Sequence, residues 1–146
     1  MQLYRKGSHT LYDLKYHIVW ATKYRKPILT EKRGKRVRDL IREICVTHNV
    51  KILKGHVSKD HIHIFVSMPP QISVSKIAQL IKGKTSRKLL QEDKVLSKQY
   101  WGNHLWARGY FATTSGQITD EMIVEYIANQ DEDQEKRGDG FSVLSS

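Results

Sequence analysis

The sequence predicts an α+β fold of element order β-α-β-β-α-β, followed by one more helix. Two-residue alternation near the start marks a strand with one buried face. Two separated apolar stripes recur at helical spacing, and two alternating segments in the middle are divided only by a short polar turn.

In the first strand Tyr12, Leu14, Tyr16, Ile18 and Trp20 alternate with Asp13, Lys15, His17 and Val19. Lys26-Pro27 turns the chain, and Thr30 and Glu31 open a helix whose Val37, Leu40, Ile41, Ile44 and Cys45 share a face while Lys and Arg occupy the rest. Val50 to Val57 and His61 to Met68 read as a hairpin joined by Ser58-Lys59-Asp60, and Pro69-Pro70 ends it. A second helix starts near Ser73, carrying Val74, Ile77, Ala78, Ile81 and Leu89. A fourth strand is expected from about Leu105 to Thr113, with Gly116 closing it. Thr119 is the expected N-cap of the last helix, and Asp120 and Glu121 complement its dipole. This order is the ferredoxin-like, RRM-like arrangement, in which helices cover one face of a four-stranded antiparallel sheet and leave the other open.

At 146 residues, without internal repeats or linkers, the chain reads as one domain with a core over about 11–130 and an acidic tail over about 131–146. Residues 1–118 carry 23 Lys and Arg against 7 Asp and Glu, a balance of +16, whereas residues 119–146 carry 2 against 8, a balance of −6. Such a basic body attracts polyphosphate and points to nucleic acid as partner. No apolar run reaches membrane-helix length and no secretion signal is evident, so a cytoplasmic protein with no membrane partner is expected. Cys45 is the only cysteine, which excludes an internal disulfide and a cysteine zinc cluster.

Two short patterns could carry chemistry. In His61-Ile-His-Ile-Phe-Val-Ser-Met68 the even positions are apolar, so His61 and His63 leave the same face, side by side. They read either as surface histidines or as a pair able to share a divalent ion. In the last helix Tyr126 and Gln130 are one turn apart on a single face, beside the apolar Ile123, Val124 and Ile127. Tyr126 reads either as a core aromatic or as a reactive phenol whose neighbour holds metal.

Six blocks then carry a resemblance. Lys15-Tyr-His-Ile-Val-Trp20, Lys23-Tyr-Arg-Lys-Pro-Ile28, Asp60-His-Ile-His-Ile64, Lys82-Gly-Lys-Thr-Ser-Arg87, Leu105-Trp-Ala-Arg-Gly-Tyr-Phe111 and Tyr126-Ile-Ala-Asn-Gln130 occur in family order. Together they resemble the single-tyrosine transposases of the His-hydrophobic-His superfamily, which move insertion sequences as single-stranded DNA and include the REP-associated tyrosine transposases. The resemblance implies that His61, His63 and Gln130 hold Mg²⁺ or Mn²⁺. It implies that Tyr126 cleaves and rejoins single-stranded DNA through a 5′-phosphotyrosine. It also implies single-stranded DNA hairpins at element ends as partner, and an intertwined homodimer whose active sites are shared between protomers. Thr113-Thr-Ser-Gly116 departs slightly from the family's usual run ending in Val-Gly. Arg33, Arg36, Lys82, Lys84, Arg87 and Lys88 are candidates for contacts to the hairpin backbone, or else ordinary solvated helix faces. Two other readings stay open: a domesticated relative that processes chromosomal repeats, and a non-catalytic ferredoxin-like nucleic-acid-binding module.

Overall fold

The computed structural model describes residues 4–99, 104–114, 121, 125–126 and 142–143. A short hairpin, β1 (Arg5–Lys6) and β2 (Leu11–Tyr12), precedes β3 (Leu14–Ala21). A single helical turn at Lys23–Arg25 leads to α1 (Glu31–Thr47), then β4 (Lys51–Val57), β5 (His61–Met68), α2 (Val74–Glu92), α3 (Lys94–Gln99), β6 (Phe111–Thr113) and β7 (Ser142–Val143). The main sheet has the order β6-β3-β5-β4-β7. Its first four strands are mutually antiparallel, as expected, and β7 adds a parallel fifth strand on the β4 edge.

The helices start where capping chemistry allows. Thr30 accepts from the Arg33 amide at 3.3 Å, and Ser73 from the Lys76 amide at 3.0 Å. Each such cap satisfies an orphan donor and contributes about 1 kcal/mol. Val37, Ile41 and Ile44 of α1 and Ile77, Ile81 and Leu89 of α2 pack with Ile18, Trp20, Ile62, Ile64, Val66 and Met68 of β3 and β5 in one core. Each fully buried side chain of this kind contributes about 1.5–3 kcal/mol. Because strand side chains alternate, committing the even positions of β5 to this core sends His61, His63 and Phe65 to the opposite face.

Three expectations are corrected. The first strand is broken at Asp13, so Tyr12 belongs to β2 and β3 begins at Leu14. The expected strand over Leu105–Thr113 is also interrupted. Trp106 bridges Thr22, but opposite Val19 lies Phe111 rather than Gly109, so the intervening residues loop out. Gly109 turns this loop with a φ of 78°, and Lys82 Nζ donates to the carbonyls of Ala107 at 3.0 Å and Gly109 at 2.7 Å. Trp106 itself keeps the register through its bridge to Thr22, a core-facing position, so its ring joins the core, edge-on to Trp20, with Nε1 donating to Thr85 Oγ1 at 2.9 Å. Finally, α3 was not anticipated. Asp93 starts it by accepting from the Leu96 amide at 3.0 Å, and Leu96 is fully buried.

Residues 121, 125 and 126 are helical, in the segment where the last helix is expected. Thr119, Gly116 and Gln130 lie outside the described residues.

Candidate active site

Pairing across the sheet assembles a row of side chains on the face opposite the helices. Phe111 of β6 lies opposite Val19 of β3, Val19 opposite His63 of β5, and His63 opposite His56 of β4. The next row places His17 of β3 opposite Phe65 of β5, and Ala21 pairs with His61. Directly paired residues point the same way, so His17, His56, His61 and His63 share this face.

His56 reaches it through a bulge. Strict alternation from Ile52, which packs against the core, sends Lys54 and His56 into the core as well. The register shift between Ile52 and Lys54 inserts one residue, Leu53, which is exposed. Beyond it Gly55 and Val57 face inward and His56 faces its neighbour His63.

His17 Nδ1 lies 3.0 Å from His63 Nε2, and the His17 ring stacks on Phe65 at 4.1 Å between centroids. One nitrogen of this pair must carry a hydrogen and the other a lone pair, so the two rings are not both protonated. Burial, reinforced by the neighbouring His17, His61 and His56, drives the His63 pKa down to about 4. Burial also lowers that of His17. His63 is thus an unprotonated imidazole at neutral pH, the form that binds a metal ion. His17 Nε2 is buried and has no hydrogen-bond partner among the described residues.

His61 is buried at 1% exposure, and its Nδ1 lies 2.9 Å from Asp60 Oδ1. The other carboxylate oxygen of Asp60 accepts from Arg25 Nη2 at 2.9 Å and Nε at 3.2 Å. Arg25 is itself buried at 6% exposure.

Tyr126 docks onto the end of the Phe111–Val19–His63 row. It packs against Val19, with its ring 5.8 Å from that of Phe111. Its hydroxyl oxygen is buried without a partner among the described residues, and burial pushes the phenol up to about 12. The tyrosine thus lies on the sheet face that carries the histidine pair, packed on the strand neighbour of His63, although the chain separates them by more than fifty residues.

These donors suit a hard or borderline divalent cation that takes its remaining ligands from neutral or anionic oxygen. Two imidazoles do not complete a coordination shell, and among the described residues no group of three or more His, Cys, Asp or Glu is close enough to hold a metal ion. A metal ion held here would need a further donor, and Gln130, the expected one, lies outside the described residues.

The six basic candidates occupy different environments. Arg33 is ion-paired to Asp93 at 2.6 Å and donates to the Ile28 carbonyl, tying α1 to the start of α3. Arg36 forks onto Glu92, and Lys84 reaches Glu43 at 3.1 Å. Lys82 holds the 107–109 carbonyls, as described above. Lys88 is half-buried on α2. Arg87 is exposed and lines a cavity of about 780 Å³ with Lys82, Ser86, His104, Trp106 and Arg108. Arg87 and Arg108 make this cleft basic, and neither Arg108, which entered only as part of the block at 105–111, nor His104 was among the candidates read from the sequence.

An antiparallel sheet that gathers imidazoles and a phenol on the face opposite its helices, on a strongly basic body, defines a ferredoxin-like protein equipped to handle nucleic-acid phosphates. Residues 10–130 match the family described as "Transposase IS200 like". The chain belongs to the IS200-like transposase family. It is 36% identical over 136 residues to the transposase for insertion sequence element IS200 of Salmonella typhimurium, covering 93% of this chain and 88% of that one. It is 29% identical over 126 residues to the ISDra2 transposase TnpA of Deinococcus radiodurans, covering 86% and 90%. A crystal structure of a candidate transposase from Deinococcus radiodurans R1 superposes with a TM-score of 0.80 at 29% identity, over 87% of this chain and 98% of that one. A REP-associated tyrosine transposase bound to a REP hairpin shares the fold, with a TM-score of 0.55 at 12% identity over 80% of this chain and 66% of that one. The chain is therefore an IS200-family transposase, a member of a DNA-processing enzyme family. Among the described residues no helix is long and apolar enough to cross a membrane.

Proposed function

We propose that this transposase cleaves and rejoins single-stranded DNA at insertion-sequence ends, with Tyr126 as nucleophile and His61, His63 and Gln130 as ligands of Mg²⁺ or Mn²⁺. The observation that carries the reading is the Tyr126 hydroxyl, buried and without a partner among the described residues, on the sheet face that also presents His63. The Tyr126 oxygen attacks a phosphodiester phosphorus in line. A new O–P bond forms, the bond to the 3′-oxygen breaks, and the phenolic proton is passed on to yield a free 3′-hydroxyl and a 5′-phosphotyrosine. The ester retains the bond energy, so a second 3′-hydroxyl can reverse the step and reseal DNA without ATP.

With a pKa near 12 the phenol is ionised in about one molecule in 10⁵ at pH 7, so attack and loss of its proton must be coupled. When bound, the divalent ion polarises the phosphate and orients its leaving oxygen. The two imidazoles and the amide are uncharged, which makes DNA phosphate a contributor to metal affinity. Hairpin ends of the element are the proposed DNA partner, held by Arg87, His104 and Arg108 at the basic cleft. Excision followed by sealing uses two tyrosines, and the proposed working unit is a homodimer.

The test is incubation with labelled single-stranded element ends and Mn²⁺, followed by denaturing electrophoresis. Wild-type protein should form a covalent adduct that Tyr126→Phe lacks while retaining hairpin binding. An adduct formed by Tyr126→Phe overturns the assignment.

A further inference from the structure

The Lys23-Tyr-Arg-Lys-Pro-Ile28 block has no part in the chemistry above, yet its backbone is among the most constrained in the chain. Tyr24 and Arg25 are consecutive non-glycine residues in the left-handed region, with φ of 59° and 54°. Such a conformation persists only where surrounding contacts impose it. Here they are explicit. The Thr22 amide donates to the Asp60 carbonyl at 2.9 Å, the Leu29 amide to the Lys59 carbonyl at 2.9 Å, and the Lys23 amide to the Leu105 carbonyl at 2.9 Å. The segment is thus strapped along the turn that precedes His61, and the strained residues turn Arg25 inward while Tyr24 stays exposed at 69%.

The Arg25 fork occupies Asp60 Oδ2, and Asp60 Oδ1 faces His61 Nδ1. A carboxylate paired to a guanidinium only accepts hydrogen bonds, so the hydrogen in the second contact belongs to His61 Nδ1. In the neutral ring that leaves the lone pair on Nε2. Carboxylate partners of ligating histidines fix the ring and its tautomer in this way, and their loss commonly lowers metal affinity ten- to a hundredfold.

We propose that Arg25 and Asp60 form a positioning relay that locks His61 in the Nδ1–H tautomer and presents its Nε2 to the metal. The inference rests on the metal reading above and deepens it. Neither residue touches the metal or the DNA; each acts through His61.

Long-range ¹H–¹⁵N correlation of the imidazoles reads the tautomer directly in the metal-free full-length chain, in chelator, without any mutation. His61 should be protonated on Nδ1; protonation on Nε2 overturns the relay. Asp60→Asn gives the sharper test. The amide has one carbonyl oxygen, which the Arg25 cation claims, and this turns the NH₂ toward His61 Nδ1. The ring should then switch to Nε2–H, and Mn²⁺ affinity should fall at least tenfold. In the double variant Arg25→Gln/Asp60→Asn the cation is gone, the Asn oxygen can return to His61, and the Nδ1–H signature and affinity should both recover. A merely structural role gives no tautomer switch and no rescue, and either absence refutes the relay. Because the tautomer is read without metal, its failure leaves the metal reading standing. A chain with the expected tautomers that takes up no Mn²⁺ with single-stranded DNA refutes the metal reading instead.

Discussion

Acidifying the metal-free protein from pH 7 to pH 5 should cost stability through His63 in particular. In the unfolded chain this imidazole titrates near 6.5, whereas burial and the adjacent histidines hold it at about 4 in the fold. Between those values the unfolded state binds a proton that the native state refuses, so stability is complete above about 6.5 and drains away as pH falls toward 4. The full difference corresponds to about 3 kcal/mol at 1.36 kcal/mol per pH unit, and about 2 kcal/mol of it is spent by pH 5. Carboxylates are still largely ionised there, which keeps their contribution small. The assay is urea unfolding in chelator at pH 7, 6 and 5, for wild type and His63→Gln. The glutamine has no titration in this range, so the stability difference between the two proteins should shrink by about 2 kcal/mol over the interval. Profiles that stay parallel within about 0.5 kcal/mol would refute the argument, because no proton would then be excluded from His63 on folding.

Three other outcomes follow from the geometry. His17→Phe keeps the stack on Phe65 but frees His63 Nε2 from the 3.0 Å contact. Losing one competing hydrogen bond of about 1 kcal/mol should raise Mn²⁺ affinity about fivefold by calorimetry; a fall in affinity would show that His17 supports the cation instead. Tyr126 packs on its own chain's Val19, so an equal mixture of Tyr126→Phe and His63→Ala subunits should cleave no DNA. Recovery of about a quarter of wild-type sites, the share that random pairing gives to exchanged helices, would place the tyrosine on its partner's sheet. Arg87→Ala and Arg108→Ala should each weaken hairpin binding evenly across sequences and reduce the salt dependence by about one phosphate contact, measured by fluorescence anisotropy. Unchanged salt slopes in both would remove the basic cleft from the DNA path.

The succession of β3, α1, β4, β5 and α2, the core faces of β3 and β5 and the grouping of His61 with His63 were legible because each follows from a period of two or 3.6. Tyr126 stands out in its helix motif, but its docking on Val19 and Phe111 depends on tertiary packing that the motif does not show. His56 was hidden by the bulge at Leu53, which inverts the face of every residue after it. His17 looked like one polar position among several on its strand, and only the pairing of β3 with β5 brings it against His63. The inward turn of Arg25 onto Asp60 was not legible because it depends on two left-handed residues, each costing about 1–2 kcal/mol and neither a glycine. The expected strand from Leu105 is interrupted because residues 107–110 loop out between the Trp106 bridge and β6, where Lys82 holds the carbonyls of Ala107 and Gly109, a tertiary contact that no strand periodicity shows.

The Tyr126 hydroxyl offers a test of whether the site is held at the expense of the fold. A buried hydroxyl lacking a partner costs about 1–3 kcal/mol, whereas one that is bonded contributes about 0.5–1.5 kcal/mol. The two cases predict opposite signs for the same small substitution. Since this oxygen has no partner among the described residues, Tyr126→Phe should leave the metal-free, DNA-free protein as stable as wild type or about 1 kcal/mol more stable in urea unfolding, while abolishing the adduct. On the proposed chemistry the missing partner is supplied when a phosphate oxygen arrives, so wild type should gain more unfolding resistance from single-stranded DNA and Mn²⁺ than the phenylalanine variant does. A Tyr126→Phe chain destabilised by more than about 1 kcal/mol without ligand would mean that the hydroxyl is already bonded in the free protein. The tyrosine would then be a structural residue of this face, and the nucleophile would have to be sought elsewhere.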